Sequence, residues 1–295
     1  MKNEKIKIAG VVTLYNPTDK DLQNINSYID DIDKLYIVDN TEGFSNESRI
    51  ITNPKIEYIF KNENVGVATA MNWGAQKAIE EGYQWLLTLD QDTTFLKGVL
   101  SRMKKEIKKR DTTKIAIITP WHNTKLIDQK PNQEYDDPND VMTSGNLVNL
   151  EIYQKLGGYK DWLFIDGIDI EYCLNLHKNG YHILRINSIE IDHNLGDIFY
   201  KKIFGRLFLC TNHSAIRRYY IMRNYHYICD MYKDFNPTYC YQMISQRHNM
   251  IGVILFEKDK FKKIKGYMDG LKDYKKGIKG KRKQKIRRCQ NDSKN

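Results

Sequence analysis

The chain has 295 residues, of which 41% are hydrophobic and 12% aromatic, with 20 tyrosines, a composition that belongs to a folded chain with a sizeable core and excludes disorder. Its net charge of +10 invites a nucleic-acid reading, but residues 257–295 carry 16 Lys and Arg against 5 Asp and Glu. The body before them is almost neutral, which disfavours a nucleic-acid groove built into the fold.

Ile6–Leu14 predicts a buried first strand, and Tyr15-Asn16-Pro17-Thr18 the loop that opens a helix over 19–30. Further strands are predicted at 34–38, ending in Asp39-Asn40, and at 56–60, running into a polar, Asn-rich loop. Val67–Glu81 places Ala68, Met71, Ala75, Ala78 and Ile79 at helical spacing and closes on Gly82. Tyr83–Leu89 is a fourth strand, ending in Asp90-Gln91-Asp92, and 115–119 a fifth. The polar segment 121–140 is expected to be a long loop or hairpin, with alternation resuming around 141–150. A helix over 170–179 capped by Gly180 and a strand over 182–186 follow, and beyond Asp197 the chain turns helical and aromatic. Such alternation argues for an α/β fold with a wound, largely parallel sheet.

Cys173, Cys210, Cys229, Cys240 and Cys289 are odd in number and widely spaced, which suggests neither a disulfide framework nor a zinc site. The start of the chain lacks a signal-peptide pattern, and no stretch approaches the ~20 apolar residues of a membrane span. The expected address is the cytoplasm, peripheral at the inner face of the plasma membrane. The basic tail fits attraction to an anionic membrane or polyanion, and equally a solvated tail with no partner. Within it Phe261, Ile264, Tyr267, Met268 and Leu271 recur near helical spacing among lysines, as in an interfacial helix.

Asp90 and Asp92 stand where an apolar strand emerges, and paired hard oxygen ligands there suit a divalent cation carrying a diphosphate. An isolated Asp-x-Asp is more often a polar turn. Asp39, also at a strand end, could accept from a pyrimidine N3–H or a ribose hydroxyl; alone it too reads as a turn residue. Gly66 joins strand to helix and would permit close backbone approach to a ligand at the helix N-terminus. There is no Gly-x-Gly-x-x-Gly fingerprint and no phosphate-binding Gly-x-x-x-x-Gly-Lys loop. Asp166, Asp169 and Glu171 put three carboxylates into six residues; one can cap a helix, and another could serve as general base. His193 becomes a Mn²⁺ or Mg²⁺ ligand if the fold brings it near Asp92. Arg217, Arg218 and Arg223 offer guanidinium groups to a departing diphosphate, or form the charged face of an amphipathic helix.

In order along the chain, Val12–Pro17, Val38-Asp39-Asn40, Asn64-Val65-Gly66 with Ala70–Gly74, and Leu89–Asp92 form the first half of a pattern. Ser144-Gly145-Asn146, Phe164-Ile165-Asp166 with Asp169 and Glu171, His193–Gly196, and Arg218-Tyr219-Tyr220 with Arg223-Asn224 complete it. The set resembles glycosyltransferase family 2 over roughly 6–224, and within it the bacterial rhamnosyltransferase-like group. That resemblance implies a GT-A type wound mixed sheet with a catalytic domain over 1–200. A nucleotide-sugar half (1–120) and an acceptor half (121–200) would make it up, followed by a helical extension (201–256) and the basic tail (257–295).

It further implies inverting, metal-dependent transfer from dTDP-β-L-rhamnose to a lipid-linked or growing cell-surface polysaccharide. Tyr15 and Asp39 would hold the base, Asn64 and Asp90 would lie by ribose and diphosphate, and Thr13, Gly66, Asn72, Gln91, Arg218 and Arg223 would complete the donor site. Asp92 and His193 would ligate Mn²⁺ or Mg²⁺. Asp169 falls at the general-base position and Glu171 at the second acidic position, while Ser144, Gly145, Asn146 and Asp166 would meet the acceptor. Where many members read Glu-Asp, this chain reads Ile168-Asp169. The rivals are a UDP-hexose or UDP-galactofuranose donor on the same fold, and a catalytically silent glycan-binding or scaffold subunit. The retention of Asp90, Asp92, Asp169 and His193 argues against the silent subunit.

Overall fold

Ile8–Leu14 is buried along its whole length, as a strand covered on both faces must be, and forms β1 near the middle of the sheet. The computed structural model describes residues 6–124, 130–192, 199–203, 206–248 and 250–283. Next come α1 (Asp19–Asn24), β2 (Lys34–Asp39), β3 (Ile56–Phe60), α2 (Val67–Glu80), β4 (Trp85–Asp90) and α3 (Val99–Lys109). β5 (Ile115–Asn123), β6 (Tyr135–Asp136), β7 (Asn146–Asn149), α4 (Leu150–Leu156), α5 (Ile168–Lys178) and β8 (His182–Asp192) complete the layered body. The chain continues through β9 (Phe199–Ile203), β10 (Arg206–Cys210), α6 (Ala215–Tyr232), α7 (Pro237–His248), α8 (Ile251–Phe256) and α9 (Lys260–Lys275).

The main sheet runs β3-β2-β1-β4-β7-β5-β8-β6. β3, β2, β1 and β4 are parallel, whereas β7 is antiparallel to both β4 and β5, so the sheet is mixed. One apolar layer, with Leu22, Ile29, Leu100 and Met103, packs on one face of the sheet, and another, with Met71, Tyr172, Leu174 and Met222, on the other.

Several expectations shift in detail. The helix expected over 19–30 stops at Asn24 and continues as 3-10 turns, which lets Ile25, Tyr28 and Ile29 all reach the core. β5 extends into the segment expected to be loop because Trp121 and His122 are buried there. Residues 182–192 form one strand, its two apolar runs joined through a register shift opposite Pro120 and Trp121. Helix α3 and the β9–β10 hairpin are additions to the sequence reading.

The basic C-terminal region is largely a folded element. Gly266 and Gly270 lie one turn apart on α9, and a Cβ on either would collide with the carbonyl oxygen of Ala215 or Tyr219 on α6. α9 therefore packs on α6 almost backbone to backbone, with Tyr267 and Leu271 turned toward the core. Among the described residues no helix is long and apolar enough to cross a membrane. Gly270→Ala is expected to lower the unfolding free energy by about 1–3 kcal/mol in urea titration. An unchanged midpoint would refute this packing of α9.

Candidate active site

Three parallel strands end level with one another. Thr13 pairs with Asp90 and with Val38, and Leu14 pairs with Asp39, so Tyr15, Asp39 and Asp90 leave the sheet along one rim. The Asp90 N–H donates to Thr93 Oγ1 at 3.0 Å, and Thr93 Oγ1 in turn hydrogen-bonds Ser144 Oγ. The Ser144 carbonyl lies 2.6 Å from His122 Nε2, and the Gly145 N–H donates to the Thr88 carbonyl at 2.7 Å. Ser144 and Asn146 are thus buried, and a Cβ on Gly145 would strike Ile191. Of these three residues, expected to meet the acceptor, Ser144 braces the Asp90–Thr93 turn, while Gly145 and Asn146 join Thr88 of β4.

Asp92 is exposed and Asp90 partly so. Burial of the Asp90 carboxyl pushes its pKa up to about 6, the Asp92 charge adds to the rise, and the Arg217 guanidinium opposes it. Two carboxylates that repel each other at a strand end are what a divalent cation relieves, so this pair fits the expected Mn²⁺ or Mg²⁺. His193 lies outside the described residues, and among those described no group of three His, Cys, Asp or Glu could hold a metal.

Asp39 is buried and accepts from Tyr58 Oη at 2.6 Å, Asn46 Nδ2 at 2.9 Å and the Thr41 N–H at 2.9 Å. Burial alone would raise its pKa; the hydrogen bonds from Tyr58, Thr41 and Asn46 outweigh that and hold it below the ordinary value. Its carboxylate organises the 40–46 loop, and Asn40 ties that loop to Val65 and Gly66. Asn64 Oδ1 accepts from the Gly66 N–H. Gly66 is required by Phe164: at φ 86° its Cβ would sit 2.6 Å from the Phe164 carbonyl oxygen.

Asn72 donates to the Tyr159 carbonyl at 2.8 Å and to Asp161, and accepts from Tyr153 Oη and the Tyr159 N–H. This fills its hydrogen-bonding capacity, so it staples α2 to the 153–161 segment and has nothing left for a donor. Gln91 Oε1 accepts from the Tyr15 N–H at 2.8 Å, fixing the end of β1. The Tyr15 ring itself is half-exposed, while Thr13 Oγ1 is buried with no hydrogen-bond partner among the described residues.

The acidic segment is held in a strained turn. Phe164 and Asp166 have φ of 67° and 64°, and Gly167 84°. Asn224 Nδ2 donates to the carbonyls of Leu163, Ile165 and Asp166 at 2.8–2.9 Å, and Arg223 to those of Trp162, Leu163 and Gly280. Arg223 is fully buried, and Arg218 points to Thr211 and the buried Glu257. Of the three arginines expected at the diphosphate, Arg218 and Arg223 therefore serve the protein interior, because their face of α6 packs inward. Arg217, the third, stays at the surface: it grips Asp166 through Nε and Nη2, and its charge reaches Asp90. Beside it, burial pushes the His213 pKa down to about 3, with Arg217 and Arg218 adding to the effect, so the imidazole stays neutral.

Asp169 opens α5 and is partly exposed; burial of its carboxyl pushes the pKa up to about 7, the Ile170 N–H opposing and the charges of Asp140 and Asp166 adding. Glu171 faces the other way. It is buried against Tyr232 Oη at 2.6 Å, its Oε2 has no partner among the described residues, and burial raises its pKa. Around Asp169 the sequence reading missed Asp140, Tyr225, Tyr239 and Arg247. Tyr239 hydrogen-bonds Asp140, and Arg247 lies 4.5 Å over the Tyr225 ring, whose hydroxyl feels the Asp169 and Asp166 charges. No local signal marks them, since a polar loop and α7 converge only in space. A cavity of about 630 Å³, lined by Gln84, Trp85 and Asn149, opens at the opposite end of β4 and holds none of these groups.

Residues 19–165 match the family model "Glycosyl transferase family 2". A dTDP-rhamnosyl transferase, RfbF, of Shigella flexneri is 28% identical over 236 residues, covering 74% of this chain and 78% of its own. GalNAc-T7, solved with UDP, GalNAc and Mn²⁺, superposes with a TM-score of 0.61 at 14% identity over 94% of this chain, which spans 57% of that one. TarS 1–349 of S. aureus, solved with UDP-GlcNAc, superposes with a TM-score of 0.57 at 12% identity, covering 92% of this chain and 81% of that one. These likenesses show a GT-A fold.

Arg223→Met and Asn224→Leu are each expected to lower the unfolding free energy by about 2–4 kcal/mol, since both strand buried carbonyls. Arg217→Met should cost less than either, since it strands no buried backbone carbonyl and its guanidinium is half-exposed. Equal losses in urea titration of the three variants would refute the division between clamp and site.

Proposed function

This chain is a family 2 glycosyltransferase, and we propose that it moves L-rhamnose from dTDP-β-L-rhamnose, with inversion and with a divalent metal, to a hydroxyl of a lipid-linked or growing cell-surface polysaccharide. The rhamnosyl donor rests on the likeness to RfbF. The observation that carries the chemistry is Asp169: a carboxyl with pKa about 7 that feels the charge of Asp166, which is paired with Arg217, whose charge in turn reaches Asp90.

A general base works best when its pKa lies near the working pH, and burial has moved Asp169 there from the ordinary carboxylate range. Its carboxylate takes the proton of the acceptor hydroxyl as that oxygen attacks the anomeric carbon, and a single displacement inverts the centre. Arg217 supplies positive charge beside the departing diphosphate and holds Asp166 in place. Asp92, with His193, would hold the metal, which supplies charge neutralisation to the diphosphate when bound. Tyr239, Arg247 and Asp140 form the acceptor side: a planar ring, a guanidinium and a carboxylate suit a sugar's apolar face and vicinal hydroxyls.

Purified protein with dTDP- and UDP-sugars should turn over dTDP-rhamnose in Mn²⁺ or Mg²⁺ and stop on chelation, with Asp92→Ala or with Asp169→Asn. Preference for a UDP-sugar would move the donor assignment, and no turnover or binding of any nucleotide sugar would favour a silent subunit.

The transfer rate should rise with pH through about 7 and level off above, because Asp169 is protonated and cannot accept a proton below that. Asp140→Asn removes a like charge and should shift this limb to lower pH; a limb that does not move would remove Asp140 from the site. Since unfolded Asp ionises near ~4, ionising Asp169 in the fold is unfavourable, and the stability it contributes falls as pH rises from there to about 7. Asp169→Asn should therefore abolish transfer without lowering the melting temperature at pH above 7, as differential scanning calorimetry would show.

A further inference from the structure

Burial separates the two faces of α9 cleanly. Its inner face, with Gly266, Tyr267, Gly270 and Leu271, lies on α6. Its outer face follows the helical stripe Phe261, Lys265, Met268, Lys272 and Lys275, all exposed. Phe261 is 88% exposed and Met268 57%, although both are large and apolar. α8, just before it, adds Ile254 at 47% and Leu255 at 52% exposure. Burying none of these four is unusual for one short stretch of chain.

Charge surrounds them. Lys258, Lys260, Lys262, Lys265, Lys272 and Lys275 are all exposed on the same two helices and their linker. Of the acidic groups there, Glu257 is buried against Arg218 and Lys263, and Asp269 is engaged by Lys265 and Arg282. Asp259 lies 3.2 Å from Lys262. What this face presents outward is therefore apolar side chains in a lysine field. A protein partner could cover the apolar groups, but the lysines would then need a matching acidic surface. An anionic bilayer satisfies both at once, taking the apolar tips at the acyl boundary and the ammonium groups among the headgroups.

We propose that Ile254, Leu255, Phe261 and Met268, with the flanking lysines, form a docking surface for an anionic lipid bilayer, on which α8 and α9 lie parallel to the membrane plane. Of the residues expected on this face from the sequence, Phe261 and Met268 remain available, whereas Tyr267 and Leu271 are occupied by the core. The surface stands independently of the transfer reaction, and its test needs no substrate.

The full chain would be sedimented with vesicles of phosphatidylglycerol and phosphatidylcholine in equal parts, and with phosphatidylcholine alone. Binding is expected to the first and not the second, and to weaken as salt rises. Leu255→Asp with Phe261→Asp should reduce it about tenfold or more while leaving the melting temperature unchanged, because both side chains are already in water. Lys258→Glu with Lys262→Glu should weaken it to a similar extent. Undiminished binding by the Leu255/Phe261 variant would overturn the proposal by assigning the affinity to charge elsewhere, including residues 284–295. A wild-type dimer in analytical ultracentrifugation that the same variant dissociates, without vesicle binding, would overturn it in favour of a second copy of the chain.

Discussion

The carboxamide of Asn224 and the guanidinium of Arg223 hold the backbone carbonyls of residues 162–166, and the rest of the site hangs on that clamp. Residues with side chains resist positive φ, and two of them adopt it within three positions here. Such a turn persists only where its surroundings over-determine it. The clamp supplies that constraint from α6, and the Phe164 carbonyl, accepting from the Val67 N–H at 2.7 Å, supplies it from α2. Asp166 is thereby fixed within reach of Arg217, with Asp169 at the start of α5 just after it. The same helix that clamps the turn sends Arg217 outward to Asp166, so one element holds both the turn's backbone and its acidic side chain.

The opposite wall follows from sheet register. Parallel pairing of β1 with both β2 and β4 brings Asp39, Tyr15 and Asp90 to one rim, and the antiparallel β7 returns Ser144 to brace the turn after β4. Polar residues on this rim divide into two kinds. Asp39, Thr41 and Asn46 hydrogen-bond one another and shape a loop that Asn40 ties to Val65 and Gly66. Asp90, Asp92 and Asp169 have no ion pair among the described residues, and for Asp90 and Asp169 the cost of burying charge appears as raised pKa values. In the mechanism we propose, that contrast separates residues that build the site from those that do its chemistry.

The C-terminal helices belong to the same construction. Gly266 and Gly270 let α9 lie against α6 and so stiffen the helix that carries Arg217, Arg223 and Asn224. Beyond α9, Gly280 bonds both Arg223 and Trp162, and Lys281 reaches Glu42 and the Asn64 carbonyl on the nucleotide side. A segment that composition marks as a basic tail is thus, as far as residue 283, a strap joining α6 to the loops of the β2 and β3 ends.

Hydrophobic periodicity and strand-end carboxylates are local properties, so the wound α/β plan, the placing of Asp90 and Asp92 after a strand, and Asp169 at a helix start were determined by the chain order of apolar and polar residues. Only the tertiary structure decided which polar side chains face a ligand. Arg217, Arg218 and Arg223 are chemically alike in sequence, yet the packing angle of α6 turns two inward and leaves one at the site. Glu171 lies two residues from Asp169, and a rotation of about 200° along the helix buries it against Tyr232. Gly66 looked like an opening for a ligand and is a contact with Phe164, nearly a hundred residues away. Convergence of Asp140, Tyr239 and Arg247 on Asp169 joins a loop to a distant helix, and distance along a chain carries no information about such a meeting until the core between them has packed.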